Sequence, residues 1–136
     1  MKRYEVISAL SQAVREILPE NGYETDTGKD VYIAKRGQPS DRCEVWIYDL
    51  GQENSYRTNG IRESKLNVEI FIVSPEPYET LLKRIRDVYK ALEGNSTLNG
   101  TASLLTIEED KFVIAQEDKR YLGCSLTVSI VYHEEV

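Results

Sequence analysis

Few side chains in this chain have the types and spacing that chemistry needs. There is one histidine, His133, three positions before the last residue, Val136. A serine or cysteine nucleophile is ordinarily activated by a base beside it. No such partner stands near His133 at a recognisable spacing, and a lone histidine cannot build a multi-histidine metal site. His133 therefore reads as a solvated residue at a strand end. The two cysteines, Cys43 and Cys124, lie in runs that alternate as strands do. Cys43 is in phase with Val45 and Ile47, and Cys124 with Leu122 and Leu126, so both should face the core as small apolar side chains. They are expected as free thiols, because a disulfide needs adjacent strands and an oxidising compartment.

Charge clusters are the other candidates. Glu108-Glu109-Asp110 and Glu117-Asp118 lack the alternating oxygen donors, central glycine and distal glutamate of a calcium loop, and read as solvated turns. Lys83, Arg86 and Lys90 fall on one helical face. That face is either solvated and partly paired with Glu79 and Asp87, or a contact for an acidic partner or DNA. A formal net charge of −6 gives the whole chain no electrostatic reason to seek nucleic acid. The glycines form neither a dinucleotide fingerprint nor a phosphate loop. The expectation is a protein with no catalytic, cofactor-binding or metal-binding residues, and not an enzyme.

The elements around these residues are legible from periodicity. Over residues 3–18, Val6, Ile7, Leu10, Ala13, Val14 and Ile17 recur at helical spacing until Pro19 stops the helix. Strands are predicted over 30–36, 43–50 and 65–73. Residues 51–63 are polar and read as a long loop or an extended hairpin arm. Ser74-Pro75-Glu76-Pro77 opens a helix over about 77–93, striped with Tyr78, Leu81, Leu82, Ile85, Val88, Tyr89 and Leu92. Strands follow at 102–107, 111–116 and 121–132, with turns at 108–110 and 117–120. The order α-β-β-β-α-β-β-β predicts one α+β domain over residues 1–136. Two helices should pack on one face of a mainly antiparallel sheet, with a mixed sheet left open. No leader and no membrane span is expected.

Two strands are apolar on both faces: Trp46 and Tyr48 oppose Val45 and Ile47, and Phe71 and Val73 oppose Ile70 and Ile72. Two helices cover one face. The other must meet either a fold-back of the 100–120 hairpin or another subunit. Tyr56, Arg57 and Arg62 in the 51–63 segment are of types enriched at contacts. The interface candidates are thus Trp46, Tyr48, Tyr56, Arg57, Arg62 and Phe71.

The order and lengths of these parts resemble the tail-terminator, or tail-completion, proteins of long-tailed bacteriophages. The matching parts are the helix Tyr4 to Leu18, the strands Val31–Lys35 and Cys43–Leu50, the long loop, the strand Lys65–Val73, the helix Tyr78–Leu92 and the strand Tyr121–Tyr132. The resemblance covers nearly the whole chain and carries no signature motif. It implies a structural virion protein forming a hexameric ring at the head-proximal end of the tail tube, assembled in the host cytoplasm. Its partners would be copies of itself, the tail-tube protein and the head connector. DNA would pass through the lumen without specific binding, and no cofactor would be used. Another head–tail adaptor or neck protein, or a small dimeric α+β binding module, would show the same order of elements.

Overall fold

A computed structural model describes residues 2–57, 59–114 and 120–136, without the side chain of Ile114. Helix α1 spans Lys2–Arg15 and buries Val6, Ile7, Leu10, Ala13 and Val14, the predicted stripe. Ile17 is also fully buried, although the helix has ended. Pro19 begins a single 3₁₀ turn that closes on Gly22 in the left-handed region, at φ 90°. A second 3₁₀ turn, Thr27–Lys29, docks on the end of α1, where the Gly28 N–H donates to the Ile17 carbonyl at 2.8 Å.

The strands are β1 (Val31–Ile33), β2 (Glu44–Tyr56) and β3 (Ile61–Ser74), followed by helix α2 (Tyr78–Glu93), then β4 (Leu104–Ile114) and β5 (Leu122–Glu135). They form one sheet in the order β1-β2-β3-β5-β4. β1 runs parallel to β2, and the remaining pairings are antiparallel, so the sheet is mixed. The α+β class stands, with one strand fewer than the periodicity suggested. Residues 108–110 make no turn: the chain continues as one strand, with a register shift between Ile107 and Glu109. A β-bulge accommodates an extra residue without breaking the ladder. The predicted turn at 117–120 lies outside the described residues except for Arg120.

One core lies between the helices and the sheet. Val45, Ile47, Leu66, Val68, Ile70, Ile72, Cys124, Leu126, Val128 and Ile130 are each 0% exposed and face α1 and α2. Leu81, Ile85, Val88 and Leu92 supply the α2 side of that core. Each such side chain stabilises by about 1.5–3 kcal/mol as an upper estimate. The α2 stripe is rotated from the expected one. Tyr78 and Leu82 are exposed, while Arg84, Asp87 and Ala91 turn inward.

Arg84 and Asp87 go inward because the 23–29 segment supplies their partners. Arg84 donates two bonds to Glu76, at 2.7 and 2.9 Å, and one to Asp26 at 2.9 Å. Asp87 accepts from the Thr25 N–H at 2.8 Å and the Thr25 hydroxyl at 2.6 Å. Buried charges are tolerated when paired in this way. The network fixes the 23–29 segment across α2.

Two substitutions check this packing. Ile85→Ala should cost about 2–5 kcal/mol in urea unfolding; a near-neutral midpoint would show that α2 is not docked by that residue. At Gly28 an added Cβ would lie 2.4 Å from the Val14 carbonyl oxygen. Backbone cannot yield as a side-chain end can, so Gly28→Ala should lose about 1–3 kcal/mol despite its better helix propensity. Unchanged or higher stability would show that the close approach is dispensable.

Candidate assembly interface

The parallel pairing of β1 with β2 sets the geometry of the second face. After Ile33 the chain must return to the start of β2, and it does so within residues 34–43. The helices occupy the inner face, so this return crosses the open one. Its first residue, Ala34, sits at φ 57°, an uncommon value for a residue with a side chain. Among the described residues, it is the crossover that meets the second apolar face. β4 lies beside β5 as the sheet edge.

Glu44, only 1% exposed, anchors this crossover. Its carboxylate accepts from the Ser40 N–H at 2.9 Å and the Trp46 indole N–H at 2.8 Å, and pairs with Lys35 at 3.3 Å. The Tyr48 hydroxyl donates to the Lys35 carbonyl at 2.7 Å, and the Tyr121 hydroxyl to the Ser40 carbonyl at 2.9 Å. Burial works to raise the Glu44 carboxyl, but the bonds from Ser40, Trp46 and Lys35 outweigh it and bring it down to about 2.

Beneath the crossover, Trp46 and Phe71 are cross-strand neighbours with ring centroids 5.8 Å apart. Phe71 lies across Gly123, where an added Cβ would come within 2.7 Å of its ring. Trp46, Phe71, Val113, Tyr121 and Gly123, with Pro39 of the crossover, line a cleft of about 250 Å³. Trp46 and Phe71 are half-buried, neither sealed nor bare. Tyr48 stands on the same face, tied to the crossover.

The other three candidates lie at the far end of the sheet. Residues 51–57 and 59–63 belong to the distal part of the β2–β3 hairpin, paired as far as Tyr56 with Arg62, so the extended arm and not the loop is what forms. β5 runs alongside it as far as Glu135. Arg57 pairs with Glu63 at 2.6 Å, and Arg62 pairs with Glu134. Tyr56 is 69% exposed. The six candidates therefore form two separate groups, a cleft at one end of β2 and a tip at the other.

The remaining polar groups assemble as follows. His133 does have a serine neighbour, Ser103, whose hydroxyl is 2.9 Å from Nδ1. Its Nε2 is 3.7 Å from Glu63, whose nearer partner is Arg57. In a hydrolase triad the hydroxyl meets Nε2 and the acid meets Nδ1, the reverse of this order. The spacing between Ser103 and His133 holds no motif; only strand pairing brings them together. Cys43 and Cys124 are free, and burial pushes their thiols up to about 12 and about 11. Both remain protonated near neutrality and are poor nucleophiles. No group of three or more His, Cys, Asp or Glu is placed to hold a metal among the described residues.

The acidic run on β4 is engaged within the fold. The Tyr89 hydroxyl donates to Asp110 at 2.6 Å and the Ser129 hydroxyl to Glu108 at 2.8 Å. Glu117 and Asp118 lie outside the described residues. On α2, Arg86 pairs with Glu24 at 3.3 Å and Lys90 donates to the Gly22 carbonyl at 2.9 Å, while Lys83 is exposed. Their partners are in the 22–24 segment and are not Glu79 and Asp87. No helix among the described residues is long and apolar enough to cross a membrane.

No protein-family model and no curated protein matches the chain. Among solved structures, it is similar to a chain in the virion of a native gene transfer agent (GTA) particle. The TM-score is 0.71 at 16% identity, over 96% of this chain and 99% of that one. That likeness is one of fold, from end to end of both chains.

The Glu44 anchor is open to an acid test. Its folded-state pKa is depressed, so its contribution is complete above about 4.5 and is lost as pH falls towards about 2. Glu44→Gln should be less stable by roughly 1–3 kcal/mol at neutral pH. The gap to the wild type should close on acidification. A gap that stays constant in urea midpoints down to the acid limb would show that the carboxylate is not the anchor.

Proposed function

We propose that this chain is a structural subunit of a virion and that it serves as a tail terminator. In that role, copies of it form a ring on the head-proximal end of the tail tube, end tube growth and offer a surface to the head connector. The observation that carries this reading is the end-to-end fold likeness to a chain of a virion particle. The order of elements, two helices on one face of a sheet with a projecting hairpin, supports the narrower role through the resemblance to tail terminators. The side chains are consistent with a protein that performs no catalysis: the thiols are protonated and the single histidine is turned away from a triad order. The acidic balance suits a passage for DNA, since like charge disfavours adhesion to phosphate.

A closed ring needs head-to-tail contacts between two unlike patches. The half-buried cleft and the hairpin tip are two such patches at opposite ends of one strand pair. The reading predicts a six-fold particle mass by light scattering, alone or after addition of tail tubes. It also predicts overlong, headless tubes when the chain is withheld during assembly. A two-fold mass with and without tubes, or head-joined tails of normal length formed in its absence, would overturn it.

A further inference from the structure

We infer that the tip of the β2–β3 hairpin seats Tyr56 in the Trp46–Phe71 cleft of a second copy of this chain. The inference rests on the ring reading and names its contact. The cleft is about 250 Å³, below the roughly 300–1,000 Å³ of small-molecule sites and suited to one aromatic side chain. Trp46, Phe71 and Tyr121 put three aromatic rings in its lining beside Pro39 and Val113, and the Phe71 ring lies across Gly123. Tyr56, 69% exposed at the tip, is the matching projection. A tyrosine gives a large contact area for few rotatable bonds, which is why it recurs at contact hot spots.

The donor must be another copy. Trp46 and Tyr56 are ten positions apart on β2, so roughly 30 Å of paired strand separates them. A hairpin held by β5 along its whole length cannot fold back over that distance.

Charge points the same way. Arg36, next to the cleft residue Gly37, is exposed with no ion pair among the described residues. Lys111 stands on the cleft face, across Ser125 from Phe71, and is paired with Glu109 at 3.7 Å. At the tip, Arg57 and Arg62 are matched by Glu63 and Glu134, while Glu53 and Glu135 are exposed with no ion pair among the described residues. Arg36 is thus the unmatched charge beside the cleft, and at the tip Glu135, with Glu53 across from Lys65, supplies carboxylates of the opposite sign. A projection at one end and a socket at the other make the contact heterologous, so it propagates until geometry closes it.

The test places the photo-reactive residue benzoylphenylalanine at position 56 and mixes isotope-labelled with unlabelled protein. The expected result is mixed-isotope cross-links from position 56 to peptides holding Gly37–Pro39, Val113 or Tyr121–Gly123. Val113→Glu, at an exposed wall of the cleft, should cut their yield about ten-fold or more while leaving the melting temperature close to that of the parent. Cross-links confined to one copy, links joining position 56 to position 56, or none at high concentration would overturn the inference. If those links fail while a six-fold particle still forms, the ring stands and this contact falls. If the links form but only open chains or dimers result, the contact stands and the ring reading falls.

Discussion

The architecture turns on one pairing: β1 lies parallel to β2, with no helix between them. Antiparallel neighbours can be joined by a tight turn, but parallel ones require the chain to travel back over a face of the sheet. The inner face is filled by α1 and α2, so the return takes the outer face. It must then be held there by side chains of the sheet itself. This explains why β2 carries Trp46 and Tyr48 outward, where a solvent-facing strand would carry small polar residues. It also explains why a carboxylate, Glu44, is buried at the foot of that strand. The crossover's Ser40 N–H and Lys35 ammonium both meet it. A buried charge with several donors specifies one arrangement and penalises every other.

The same constraint divides the outer face into regions. Near the crossover it is apolar and partly roofed, which produces a cleft. Further along, Glu69, Ser125 and Thr127 are polar, and the Ser125 hydroxyl donates to Glu69 at 2.6 Å. Still further, β2, β3 and β5 run on beyond β4 to the hairpin tip, with Tyr56 extended into solvent. Inside this arm the strands are tied by polar groups. The Tyr132 hydroxyl donates to Gln52 at 2.7 Å and the Ser64 hydroxyl to Asn54 at 2.8 Å. Such bonds order an arm too thin to have an apolar core of its own.

The helices, the inner strand faces and the order of elements were legible in the sequence because each is a local periodicity. Val6 to Ile17 and Leu122 to Tyr132 declare their buried faces by spacing alone. The strand ends were not legible. Residues 51–55 and 62–64 hold no apolar side chain, so no alternation marked them as strands. The 108–110 run looked like a turn because its acids suggest solvent, yet Tyr89 and Ser129 bind two of them in an unbroken strand. Asp87 was read as a partner on the solvated face of α2, and Arg84 had no place in the predicted stripe. Both turn inward because Thr25 and Asp26, distant in sequence, complete them together with Glu76.

The candidate site shows the same division. Outward aromatic residues on β2 and β3 were visible as a pattern, and they do mark a face that needs cover. What covers it was not visible, because the crossover is set by which strand β1 joins, a long-range choice. The two-sided strands therefore do not by themselves demand a second subunit. Part of that demand is met within the chain, by Pro39, Ser40 and Tyr121. What the proposed contact would use is narrower and better defined: the opening left beside the crossover, and the aromatic side chain held out at the far end of the same strand. A contact joining unlike ends of one rigid strand pair would transmit a fixed rotation from copy to copy. The arm begins at the β2 register shift between Asp49 and Gly51. The bulge there bends β2 where Arg3 of α1 grips Asp49 through two bonds, at 2.8 and 2.7 Å. The first turn of α1 is thereby tied to the point where the arm begins.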